Sequence, residues 1–360
     1  MCLFLMQRVS HQQAAQLLHN KFVVVLGDSI QRSVYKDLVL LLQKEKYLSS
    51  EQLRSKGELS FEQDCLVDGG CRSEMHNGTD YREVRQFQSD HHLVRYYFVT
   101  RIYSHYMQSI LEEFRHGLKP DVIIVNSCVW DISRYLSTSM DDYKANLQKF
   151  FAELNGILPD ESLVIWNLTM PVGETIRGGF LVPEVAYKAP QLRYDVIEAN
   201  FYSATLADFY GMDVLDLHFQ FRLLLRHRTR DGVHWDALAH RRITSLLLRH
   251  SAQAWGVFMP EHSEVTAQQS SYRNKTKPAG RNRLPNYHCL PTDNNFLYKA
   301  PQPRGHNLMH RQVRYDLDCS PFYYTEPYEH YRHHHVRRNH TRRYHPPYMC
   351  SQYGRHLHNY

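Results

Sequence analysis

Ten residues, KFVVVLGDSI at positions 21–30, constrain this chain more than any other stretch. An unbroken apolar, mostly β-branched run enters a Gly-Asp-Ser turn. A strand without alternation is buried on both faces, which is the setting of a central parallel strand. Val34, Leu38, Leu41 and Leu42 then recur at helical spacing, so a helix follows the turn directly. Residues 121–126 (DVIIVN) and 162–169 (SLVIWNLT) read as further buried strands, and 212–217 (MDVLDL) as a short one. Residues 93–103 read as a strand or hairpin arm, and 64–67 as a short strand ahead of the Asp68-Gly69-Gly70 turn. Helices are predicted over 110–115, 143–158 and 192–210, the last closed by Gly211. A final helix covers 236–255 with Leu238, Ile243, Leu246 and Leu247 inward, and 171–190 is a long loop. Strands alternating with helices define an α/β fold with a mainly parallel sheet and right-handed crossovers.

Composition divides the chain. Residues 259–360 hold 15 Lys and Arg against 7 Asp and Glu, while the first 258 residues hold 28 against 30. The same 102 residues carry 12 of the 24 His, 12 of the 25 Tyr and 10 of the 15 Pro, without helical or strand periodicity. Residues 1–258 are therefore read as the domain, and 259–360 as a disordered basic tail. Such a tail suits contact with acidic surfaces or RNA through phosphate charge and base stacking. His333, His334 and His335 form a tract that binds metal only opportunistically. No 18-residue apolar window is present, which excludes a membrane-spanning helix, and MCLFLM lacks the order of a secretory signal. Seven cysteines without a CxxC read as reduced thiols, so a cytoplasmic or nuclear location is expected. No cofactor and no structural metal is expected.

In an open parallel sheet, ligands bind at the C-terminal ends of the strands. Asp28 and Ser29 follow the first strand, Asn126 follows the DVIIV strand, and the loop at 231–235 (DGVHW) precedes the last helix. Ser29 at a helix start has free backbone N–H groups beside it and needs a base to become a nucleophile. His234 fits that role, with Asp231 three residues earlier to orient its ring. Asn126 would offer an N–H to a developing oxyanion, and Gly69 or Gly70 another. Each residue also has a plainer reading. Ser29 could cap its helix, His234 could pack against Trp235, Asn126 could bond loop backbone, and the glycines could serve only a turn. Asp131 and Asp195 read as ordinary helix-start or surface carboxylates.

The order of these elements carries a family resemblance. GDSI at 27–30, Gly69-Gly70, Asn126 and DGVH at 231–234 resemble the four blocks of the SGNH (GDSL-like) hydrolases. The GDS and DxxH ends are most similar to the PC-esterase family of that superfamily. The segments LLHNKFVVVLGDSIQRSVYKDLVLLLQ, HNGTDYREVRQF, NSCVWDISRY, NFYSATLA and RDGVHWD resemble animal members of it, and the likeness spans roughly residues 14–258. The third block reads NSCVWD where many SGNH enzymes have GxND.

The resemblance implies a three-layer α/β/α sandwich and an acyl-ester hydrolase or acyltransferase. Ser29 would be the nucleophile, His234 the base and Asp231 its partner. Ser29 N–H, Gly69 or Gly70, and Asn126 would surround the oxyanion. The implied substrate is an acyl ester, such as an acylated carbohydrate or lipid. The competing expectation is a catalytically silent fold that serves as an interaction module.

Overall fold

The apolar run at 21–30 forms the middle strand of a seven-stranded sheet in the computed structural model, which describes residues 8–67, 78–135, 139–177 and 179–260. The chain runs α1 (His11–Leu17), β1 (Lys21–Gly27), α2 (Ser29–Gln43), α3 (Ser50–Arg54), β2 (Cys65–Leu66), β3 (Val84–Gln88), β4 (His92–Phe98) and α4 (His105–His116). It continues through β5 (Val122–Val125), α5 (Val129–Arg134), α6 (Ser139–Ile157), β6 (Leu163–Asn167), a 3₁₀ turn (Pro183–Lys188), α7 (Ala189–Phe209), β7 (Asp213–Leu215), α8 (Leu217–Phe221) and α9 (Ala237–Ala254).

The strand order is β2-β3-β4-β1-β5-β6-β7. β4, β1, β5, β6 and β7 are mutually parallel, and β2 and β3 add an antiparallel edge. β1 is sealed because helices flank the sheet, with α1, α2 and α9 packed as one group and α4, α5, α6 and α7 as another. Val23 to Leu26 are at most 1% exposed. This is the mainly parallel, helix-flanked α/β sheet that the sequence predicts. Successive connections leave β1 toward β4 and then cross to β5, so the crevice at the switch point lies where β1 and β5 end.

α2 is buried almost all round and carries charge into the core. Arg241 of α9 grips the Asp37 carboxylate of α2 through Nε and Nη2, at 2.9–3.2 Å, and so ties the two helices together. Three local expectations change. The helix predicted at 110–115 begins earlier, at His105, because the Ser104 hydroxyl accepts from Met107 N and caps it. The predicted loop at 171–190 contains the 3₁₀ turn and the start of α7. Leu238 is 40% exposed rather than inward, because that side of α9 faces an open cavity.

Candidate active site

Gly27 ends β1 at φ +152°, and a Cβ there would collide with the Gln31 side chain and with Asn126 O. Only glycine lets β1 turn into α2 this close to the end of β5. Asp28 then takes the helix cap, its Oδ1 accepting from Ile30 N at 2.9 Å. The cap being filled, the Ser29 hydroxyl is left for another partner. It lies 2.8 Å from His234 Nε2.

His234 is held by a loop that Asp231 folds around itself. Asp231 Oδ1 accepts from Val233 N at 2.9 Å, His234 N at 3.0 Å and the Thr229 hydroxyl at 2.6 Å. Its other oxygen takes His234 Nδ1 at 2.6 Å. Gly232 has φ +80°, and a Cβ there would strike Thr175 O. The neighbouring strap clasps this loop through Gly173 N to Gly232 O at 2.7 Å and Arg177 N to Asp231 O at 2.8 Å. Burial alone would push the Asp231 carboxyl up. The hydrogen bonds from His234, Thr229 and the two backbone N–H groups overcome it and hold the group well below the usual carboxylate range. An ionised Asp231 fixes the proton of a neutral imidazole on Nδ1, which leaves Nε2 free to accept from Ser29.

The remaining predicted residues fall as follows. Asn126 stands at the end of β5, 6% exposed, and its amide donates to Asn167 O at 2.9 Å and Thr169 Oγ1 at 3.0 Å. Both amide hydrogens are thus directed at the end of β6. Gly69 and Gly70 lie outside the described residues, as does the tail from residue 261 onward. Asp195 is half-buried and accepts from Gln191 Nε2 at 3.2 Å.

Asp131 is not an ordinary helix-start carboxylate. It is 3% exposed, accepts from the Ser127 hydroxyl and from Ile102 N, and burial pushes its pKa up to about 7. A carboxyl raised in the folded state stabilises the fold in acid, and that contribution is lost as pH rises from about 4 to about 7. Asp131→Asn is therefore expected to unfold at a lower temperature than wild type near pH ~5, relative to their difference near pH ~8. Melting curves at the two pH values check this, and an identical difference at both would contradict it.

Ser29, Asp231 and His234 open on a cavity of about 740 Å³ whose walls include Tyr81, Phe98, Trp130, Phe180 and Trp235. Sequence reasoning missed His240, which lines the same cavity at 1% exposure. Burial lowers its pKa to about 3, so it stays neutral. Among the described residues no group of three or more His, Cys, Asp or Glu is placed to hold a metal ion. No helix among them is long and apolar enough to cross a membrane.

A mainly parallel sheet with a Ser-turn-helix at its switch point is a hydrolase-like α/β fold, and sequence comparison agrees. Over 255 residues the chain is 60% identical to mouse PC-esterase domain-containing protein 1A, covering 70% of this chain and 57% of that protein. The human 1A protein is also 60% identical, over 256 residues covering 70% and 56%. The human 1B protein is 54% identical over 271 residues, covering 75% and 62%. Over those residues the chain is a homologue of the PC-esterase domain-containing proteins, and it spans somewhat more than half the length of the curated relatives it matches. No family model matches the chain. An acetylxylan esterase from Geobacillus stearothermophilus aligns over 68% of this chain and 99% of its own, at 12% identity and a TM-score of 0.39. That likeness is too distant to carry weight.

Proposed function

We propose that the chain is a serine acyl-esterase or acyltransferase acting on O-acyl esters. The observation that carries this reading is the continuous relay from Ser29 Oγ to His234 Nε2 at 2.8 Å and from His234 Nδ1 to Asp231 Oδ2 at 2.6 Å. In the reaction, Oγ bonds to the acyl carbon as His234 takes its proton. The ester C–O bond then breaks, and the alcohol leaves with that proton. Water or a second alcohol, deprotonated by the same imidazole, releases the acyl group from Ser29. The backbone N–H of Ser29, in the first turn of α2, belongs to the helix's positive end and suits the oxyanion. The bonding of Asn126 toward β6 favours a second reading, an interaction module with an incomplete oxyanion site. The division at residue 258 between a domain and a basic tail belongs to the same proposal, as does an acylated carbohydrate or lipid as substrate.

A fluorophosphonate probe separates the two readings. Wild type is expected to label covalently and Ser29→Ala to stay unlabelled. Equal labelling of both would place the reactive group elsewhere, and no labelling of folded wild type would favour the silent module.

A further inference from the structure

The cavity carries a charged wall that the relay does not use. Arg32 lies three residues along α2 from Ser29, so the two side chains leave neighbouring points on one helical face, and both line the cavity. Arg32 is 5% exposed. One terminal nitrogen donates to Glu83 Oε2 at 3.2 Å, and its Nε–H has no partner among the described residues. Glu83 is shared, because it also takes Arg85 at 3.1 Å and the Tyr81 hydroxyl at 3.0 Å. Its charge is thus divided between two guanidinium groups. Arg54 and Lys56 stand on the cavity lining as well. Burial and the Arg32 charge push the Lys56 ammonium down, against the pull of Glu83. The lining carboxylates, Asp231 and Asp236, are engaged by His234 and His227. A buried N–H of a cation without an acceptor is costly, and the guanidinium that carries it has only a shared carboxylate to balance its charge beside the cavity.

We propose that Arg32, with Arg54 and Lys56, recognises an anionic group, carboxylate or phosphoryl, on the ester that Ser29 attacks. The substrate class becomes an O-acyl ester that bears an acidic function, its apolar part resting on Trp130, Phe180 and Phe98. The catalytic half of this inference rests on the function proposed above, and the binding half does not.

The test titrates phenyl phosphate, benzoate and neutral benzyl alcohol into the full chain. Tryptophan fluorescence reads binding, since Trp130 and Trp235 line the cavity. At least one anion is expected to bind about tenfold or more tighter than the alcohol, with the advantage shrinking in salt. Phenyl phosphate ahead of benzoate would identify a phosphoryl group, and the reverse a carboxylate. Arg32→Gln should abolish the advantage, and Arg54→Gln should reduce it. Arg54 is exposed, so its variant keeps the test open if Arg32→Gln fails to fold.

A second arm compares kcat/KM for 4-acetoxybenzoate and its neutral methyl ester, with a preference of about tenfold expected for the anion. Equal affinity for the three ligands, or a preference unchanged in both variants, overturns the anion site. Hydrolysis without selectivity does so too, and leaves the catalytic reading standing. Anion selectivity without hydrolysis supports the site and removes the catalytic reading.

Discussion

Replacing His234 by alanine is expected to cut the turnover of an aryl acetate by about three to six orders of magnitude, with the fold intact. Base and nucleophile act as one unit, so adding Ser29→Ala to that variant should cost little more. Asp231→Asn should lose less than His234→Ala, because it removes no proton acceptor from the serine. It still unsettles two supports at once: the charge behind Nδ1 at 2.6 Å, and the turn held by Val233 N and His234 N. Steady-state rates for the three variants, with circular dichroism to confirm folding, settle the matter. A His234→Ala protein within tenfold of wild type would remove the relay from the chemistry.

The second large effect is one of stability. Arg85, Asp64 and Glu83 are at most 2% exposed and form one hydrogen-bonded charge cluster. Arg85 reaches Asp64 twice at 2.7 Å, Glu83 at 3.1 Å and Glu58 O at 2.7 Å, while the Tyr35 hydroxyl donates to Asp64 at 2.9 Å. Arg85→Leu would leave two buried carboxylates without their shared cation. Breaking a buried pair from one side costs about 3–5 kcal/mol. For a domain of this size that lowers the melting temperature by about 6–20 °C. Arg85→Leu combined with Asp64→Leu should be less destabilised than the two single variants summed. A melting temperature of Arg85→Leu within about 2 °C of wild type would show that the carboxylates find other partners.

Legibility varied with how local the physics was. β1, its turn and α2 could be read because an unbroken apolar run and a helical repeat are decided by neighbours in sequence. The pairing of Ser29 with His234 was expected from residue types at strand ends, and the atoms do meet. β3 could not be read. Its VRQFQ carries Arg85 inward, and that charge is tolerable only because Asp64 and Glu58 O come from 21 and 27 residues earlier. Asp131 reads in the sequence as an ordinary helix-start or surface carboxylate, but Ile102 N and the Ser127 hydroxyl reach it in the core. The position of Asn126 followed from the strand pattern. The direction of its amide did not, since that depends on Asn167 and Thr169 of a different strand end. Leu238 shows a related limit: a helical repeat separates inward from outward, but not packed core from open cavity.

The two halves of the relay stand 205 positions apart in the chain. At synthesis rates of about 5–20 residues per second, roughly 10–40 s pass between translation of the serine and translation of its histidine. Throughout that interval the nascent polypeptide carries Ser29 without His234. Completion of the site coincides with arrival of the last helix, which closes against α2 through Arg241 and Asp37. On the esterase reading proposed above, a product that terminates before residue 234 has the nucleophile without its base, and one that ends between 234 and 237 has both residues without the helix that follows them.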